Sequence, residues 1–361
     1  DISRKFSMMN IVNGTIVPYF IQKNITIGFI GPLSGDAAVF GQDEKNAVEM
    51  AVKELKSRGL DVRVIYEDGK CSGKDSTTAA QKLVSVDNVK IILGGACSGE
   101  TLAAAPVTEL KKVILYSTFS SNPGITDAGE YIFRTSPSDN EIGTMAQKEI
   151  MKKYKKVAII SENTDYAQGV RKIFKERIAV LNGTITTDEI FNQGDRDFRT
   201  QILKIKDSNP EVILFIPQSG TSQGLAIKQM RELGVNNQIY TAVATTDAIE
   251  IAGAAMEGTI IIDFPILPST ANSFLERYNN TYGSYPASEF DTAARYDSVF
   301  VIANAVAVCG EDTECIKDFL YNMDFYSGVV GQFKFDSRGD VTGIDYALKI
   351  VRNGKFELYS G

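Results

Sequence analysis

The chain has 361 residues, with 38 Lys+Arg against 45 Asp+Glu for a formal net charge of −7, and it contains no histidine and no tryptophan. Without histidine there is no Ser-His-Asp or Cys-His nucleophile, no imidazole acid–base group near neutral pH and no His-ligated zinc or haem. The acidic balance argues against nucleic acid as a partner, and 43% hydrophobic with 23% charged residues suits a globular chain with sizeable cores.

Residues 1–24 show no clear period and read as an N-terminal extension. From Ile25 short apolar runs alternate with amphipathic segments. Ile25–Pro32, Val62–Glu67, Val89–Gly94 and Val113–Ser117 read as strands, with helices over Asp43–Arg58, Lys74–Val86 and Gly99–Lys111 between them. Ala47, Met50, Ala51 and Leu55 recur at helical spacing, and Gly59 is placed to end that helix. The rhythm breaks at Ser136-Pro137-Ser138-Asp139 and resumes. Val157–Ser161, Ile185–Phe191, Val212–Pro217 and Ile239–Val243 read as strands, with helices over Gln168–Leu181, Arg196–Asp207, Ser222–Leu233 and Asp247–Met256. After an apolar strand at Thr259–Pro265 come helices at Thr270–Tyr282, Ser288–Val308 and Thr313–Met323, then strand-like runs at Gly331–Phe335, Tyr346–Val351 and Lys355–Tyr359. Alternation of this kind implies α/β architecture with two doubly wound parallel-sheet lobes.

The four cysteines, Cys71, Cys97, Cys309 and Cys315, form no C-x-x-C pair. Their even number fits two disulfides, Cys71–Cys97 and Cys309–Cys315, in an oxidising compartment, and four unpaired buried thiols fit the count as well. No apolar stretch approaches the roughly 20 residues of a membrane span. The start at Asp1-Ile2-Ser3-Arg4-Lys5 shows no secretory pattern, and a processed product reads the same way.

Ligands of open α/β sheets bind at the carboxyl ends of strands. Here those loops are Gly31–Gly35, Gly94–Glu100, Ser117–Pro123, Glu162–Tyr166, Gln218–Thr221 and Ala244–Asp247, rich in glycine and small hydroxylated residues. Backbone N–H groups at a helix start, with Ser or Thr hydroxyls, seat a carboxylate or other small anion. Ser98, at the expected N-cap after a glycine-rich strand end, is the best single candidate and equally a plain cap. Ser120 and Ser121 precede Pro123 as ligand donors or turn formers, and Phe40 and Tyr166 are aromatic residues at expected loop positions. Gly31-x-x-x-Gly35 and Gly94-Gly95-x-x-x-Gly99 match no phosphate-binding signature, so a nucleotide enzyme is disfavoured.

The opening Ile27-Gly28-Phe29-Ile30-Gly31-Pro32-Leu33-Ser34-Gly35 with Phe40-Gly41 resembles that of the leucine/isoleucine/valine-binding proteins, extracytoplasmic solute receptors of ABC importers with the type I periplasmic-binding fold. The resemblance continues through Tyr66-Glu67-Asp68, Gly94–Gly99, Asp165–Gly169, Gly194–Phe198, Ala293–Asp297 and Gly331-x-Phe333-x-Phe335-Asp336, and so covers Ile25 to the C-terminus. It implies a disulfide between the loops after the second and third strands, where Cys71 and Cys97 stand. It also implies a ligand carboxylate held by a Ser and main-chain groups matching Ser98, Cys97 and the Ser120–Ser121 turn, with aromatic walls at Phe40 and Tyr166. Two departures stand out. The family's acidic receiver of the ligand ammonium falls at Ala244-Thr245-Thr246-Asp247, where the loop is shorter, with Asp247 as candidate and Asp291 as substitute. The second aromatic of the distal lobe falls at about Ser219.

The expectation is therefore a non-enzymatic, cofactor-free monomer that binds a small solute, an amino acid first, between two lobes and presents it to an ABC permease. It would be periplasmic or anchored at the cell surface. A sensing module of the same fold, for an amide or carboxylate, is the alternative. The lobes are expected as 25–135 plus 266–325 and 136–264 plus 326–361. Hinge crossings are expected near Arg134–Asn140, Ile262–Ile266 and Phe325–Gln332.

Overall fold

A computed structural model describes residues 9–12, 15–18, 23–242 and 244–359. In chain order its first elements are β1 (Met9–Val12), β2 (Thr15–Pro18), β3 (Lys23–Gly31), α1 (Ala38–Ser57), β4 (Leu60–Asp68), α2 (Gly73–Ser85), β5 (Ile91–Leu93), α3 (Ser98–Leu110), β6 (Ile114–Ser117) and β7 (Ile132–Arg134). Then follow α4 (Asp139–Lys153), β8 (Lys156–Glu162), α5 (Asp165–Val180), β9 (Thr184–Phe191), α6 (Arg199–Asp207), β10 (Val212–Ile216), α7 (Gly220–Glu232), β11 (Gln238–Ala242), α8 (Thr246–Ala252) and β12 (Ile260–Asp263). The last are α9 (Asn272–Tyr282), α10 (Glu289–Cys309), α11 (Thr313–Asn322), β13 (Tyr326–Gly328), β14 (Gly331–Phe335), β15 (Val341–Thr342), β16 (Ala347–Arg352) and β17 (Lys355–Leu358).

The chain divides into two compact units. The first takes 1–120, 124–136 and 267–344, and the second takes 121–123, 137–266 and 345–361. The first contains a parallel five-stranded sheet in the order β4-β3-β5-β6-β7. Successive residues of β3 point to opposite faces, as the pleat requires. Ile30 joins Leu83, Ala104 and Ala105 of α2 and α3, whereas Phe29 lies under the guanidinium of Arg295 on α10. The second unit has a seven-stranded sheet in the order β17-β16-β12-β11-β10-β8-β9, with β16 and β17 antiparallel. Ile160, Phe215, Ile239 and Ile261 pack there against Ile202, Ile227 and Met230 of α6 and α7.

Four expectations change. Residues 9–12 and 15–18 of the expected extension form an antiparallel hairpin, and residues 23–24 already belong to β3; 1–8, 13–14 and 19–22 lie outside the described residues. The same holds for Val243, the end of one expected strand, and for residues 360–361 of the expected second lobe. A helix unforeseen at the sequence level, α4, follows the break at Pro137 and is opened by Ser138 as N-cap. The expected helix Asp247–Met256 is α8 followed by one 3₁₀ turn, because Gly253 adopts a positive φ of 56° that ends the α-helix.

The segment 326–344, expected in the second lobe, belongs to the first unit. The buried Asp297 carboxylate of α10 accepts the backbone N–H groups of Val329 (2.9 Å) and Val330 (3.0 Å), and Arg134 Nε donates to Asp340 Oδ1 at 2.6 Å. The two expected disulfides are present, Cys71–Cys97 and Cys309–Cys315, with Cα–Cα distances of 5.3 and 5.5 Å.

Candidate functional site

In the first unit the loop after β5 turns into α3, and its charges are buried. Cys97 is the N-cap of α3 in extended conformation, which moves Ser98 from the expected cap to the first helical residue. Glu100, the third helical residue, turns back to the cap as in a capping box. Glu100 Oε2 accepts the N–H groups of Ala96 (3.1 Å) and Cys97 (3.0 Å), and its Oε1 accepts that of Cys71 (3.0 Å). One carboxylate thus joins both halves of the disulfide. Burial pushes Glu100 up to about 7, against the pull of the hydrogen bonds from Cys97 and Cys71, and the charge of Glu44 adds to the rise.

Ser120 is fully buried. Its hydroxyl lies 2.7 Å from Thr101 Oγ1, 2.9 Å from the Gly95 carbonyl and 3.1 Å from the Ala96 carbonyl, so it holds the β5–α3 loop in shape. Beneath these loops Glu44 of α1 accepts Thr118 Oγ1 (2.9 Å) and pairs with Arg295 (3.2 Å), which also donates to the Tyr116 carbonyl at 2.9 Å. Burial pushes the Glu44 carboxyl up while Arg295 draws it down. Phe40 lies in the first helical turn of α1, not in a loop. It is buried edge-on against Phe119 (centroids 4.9 Å apart), with Ala37, Cys97 and Cys71 alongside.

In the second unit the loops after β8, β10 and β11 each feed a helix. Tyr166 is the second residue of α5, inside the helix that starts three residues earlier than expected, where Thr164 caps by accepting Ala167 N–H at 3.2 Å. Ser121 falls in this unit, not with Ser120; its carbonyl accepts Asp139 N–H (2.9 Å), and Asn122 Nδ2 donates to the Asp165 carbonyl (2.8 Å). The buried Glu162 accepts Gln218 N–H at 2.7 Å and so fixes the approach to α7. Ser219 caps α7 by accepting Ser222 N–H at 3.1 Å, and its hydroxyl donates to Ser222 Oγ at 3.0 Å.

Thr245 is the N-cap of α8 without a side-chain cap bond, Thr246 is its exposed first residue, and Asp247 follows half-buried. Thr245 Oγ1 and Asp247 Oδ1 are buried polar atoms with no partner. Gly220 closes over both, because a Cβ there would overlap Thr245 Oγ1 and both carboxylate oxygens of Asp247. A carboxylate oxygen and a hydroxyl oxygen buried without partners suit a group that donates two hydrogen bonds, an ammonium above all. The substitute Asp291 lies in the first unit, where Ser288 Oγ donates to its carboxylate.

Sequence reading missed Glu100, Glu44, Arg295, Glu162 and Gly220. Glu100 alone left a legible signal, three residues after the N-cap in the capping-box position. Among the described residues no group of three Cys, Asp or Glu side chains is placed to hold a metal ion, and no helix is long and apolar enough to cross a membrane.

Two α/β units with hydroxyls, helix starts and open polar groups at their strand ends define a protein class built to hold a small polar ligand. The chain matches the family described as periplasmic binding protein over residues 24–353 and belongs to that family. It is 27% identical over 359 residues to the leucine-, isoleucine-, valine-, threonine- and alanine-binding protein of Pseudomonas aeruginosa, covering 96% of this chain and 95% of that one. Its fold is similar to the solved leucine-binding protein LivK of Thermotoga maritima (TM-score 0.82, 25% identity, 93% of this chain and 98% of that one). It is equally similar to the branched-chain amino acid transporter substrate-binding protein LivJ of Streptococcus pneumoniae, solved with isoleucine (TM-score 0.82, 27% identity, 93% and 98%).

Proposed function

We propose that this chain is an extracytoplasmic receptor that captures a small amino acid, branched-chain or similar, and delivers it to an ABC permease without chemical change. The observation that carries the ligand class is the open pair of Asp247 Oδ1 and Thr245 Oγ1 against Gly220. An ammonium donates to both and neutralises the carboxylate, whereas a simple carboxylic acid ligand leaves Asp247 Oδ1 without a partner. The relatives named above, matched almost end to end, support an amino acid as the solute and a transporter as the recipient. Within the first unit the start of α3 at Ser98, beside the ring of Phe40 that packs on Cys97, suits a carboxylate; within the second, Tyr166 lies in the first turn of α5.

A thermal-shift screen of the amino acids, with short amides and carboxylates beside them, tests this reading. Leucine, isoleucine or valine is expected to raise Tm, and calorimetry then gives the affinity. In Asp247→Asn, leucine is expected to bind at least about tenfold more weakly, about 1.4 kcal/mol, while 4-methylpentanoate, which lacks the amino group, is unaffected. Equal loss for both compounds removes Asp247 from ammonium recognition.

A further inference from the structure

The buried charges of the first unit do not balance. Glu44 and Glu100 are both buried carboxylates, and the buried guanidinium beside them, Arg295, is paired with Glu44 through Oε1 at 3.2 Å. Glu100 receives only neutral donors, the N–H groups of Cys71, Ala96 and Cys97. Of the remaining charged groups around this loop, Lys70 and Lys74 are exposed, Asp43 and Asp68 are half-buried and Asp291 is buried. Asp68 at the end of β4 accepts Leu33 N–H (2.8 Å), Lys70 pairs with Asp75 of α2 at 3.4 Å, and Lys74 is exposed. On α1, Asp43 faces Tyr278 and Ala287, and on α10 Asp291 faces Ser288. Nor has Glu100 room to turn away, since a Cβ on Gly69 would overlap its Oε1 and a Cβ on Gly95 would overlap its own Cβ.

A ligand carboxylate at the start of α3 adds another anion to the same positive helix end that Glu100 already uses. Resting on the amino-acid reading above, we propose that Glu100 is a positioning and specificity-determining residue, whose carboxylate takes up one proton from solvent when an anionic ligand carboxylate settles at the start of α3. No bond of the ligand changes. The proton removes the repulsion while the carbonyl oxygen of the neutral acid still accepts N–H donors and keeps the loop in place. Burial already holds Glu100 up at about 7 in the free protein, so the uptake falls in the physiological range.

The test is calorimetric titration of the whole chain with L-leucine at pH 6, 7 and 8, each in two buffers of different ionisation enthalpy. The expected result is net proton uptake near pH 7 to 8 and an affinity about five- to tenfold weaker at pH 8 than at pH 6. Glu100→Gln is expected to flatten this dependence, and if that variant fails to fold, the proton count of the wild-type protein decides alone. Leucine binding of equal affinity across the range, with heats independent of buffer, overturns the proposal and leaves the amino-acid reading standing. No binding of leucine, isoleucine or valine at any pH overturns that reading and this inference with it.

Discussion

Gly220 shows how a residue without a side chain can constrain its neighbours. It opens α7 and is packed so tightly on Thr245 and Asp247 that any Cβ displaces the carboxylate. Alanine has higher helix propensity than glycine by up to about 1 kcal/mol, so Gly220→Ala is expected to leave Tm within a few degrees of wild type. The same change is expected to weaken leucine binding by about tenfold or more in calorimetry. Unchanged affinity means that the Asp247 carboxylate is not where the ligand docks. Asp247 itself was legible, as the acid of a short strand-end loop. Gly220 was not, because its importance comes from a loop 25 residues further on, brought beside it by the pairing of β10 with β11.

At the scale of elements, the helix starts carry most of the candidate residues, and their local chemistry explains which were readable. α5 and α7 are opened by Thr164 and Ser219, hydroxyl caps of the ordinary kind. α4 escaped notice because, among its described side chains, the buried apolar ones are Ile142, Ile150 and Met151, set among charged residues. The start of α3 differs, since a disulfide and a carboxylate take the place of a hydroxyl cap. Loop-closure entropy for the 26-residue separation of Cys71 and Cys97 corresponds to about 3.5 kcal/mol, against about 2 kcal/mol for the 6-residue separation of Cys309 and Cys315. The double variant Cys71→Ala, Cys97→Ala is therefore expected to lose more stability in urea unfolding than Cys309→Ala, Cys315→Ala. The first pair also anchors Glu100 through two backbone N–H groups, so its loss is expected to impair ligand binding as well.

For the whole molecule, pH and stability are linked through the buried acids. Burial pushes both Glu100 and Asp297 up to about 7, against the hydrogen bonds that each accepts from backbone N–H groups. In the unfolded chain both lose their protons near pH 4, so between about 4 and 7 the native state holds more protons than the unfolded one. Their contribution to stability is full below pH 4 and is lost as pH rises through 7, at most about 1.4 kcal/mol per pH unit for each group. Acids held low, such as Glu54 and Asp188, act in the opposite sense and lose their contribution only in stronger acid. Calorimetric Tm is expected to be higher at pH 5 than at pH 8, and the reverse order contradicts these assignments. The α/β alternation, the strand ends and the missing histidine were in the sequence, because periodicity and composition are local properties of a chain. Which buried acid pairs with Arg295, which lacks a cation, and which glycine lies against Asp247 depend on residues far apart in the chain, and only tertiary packing brings them together.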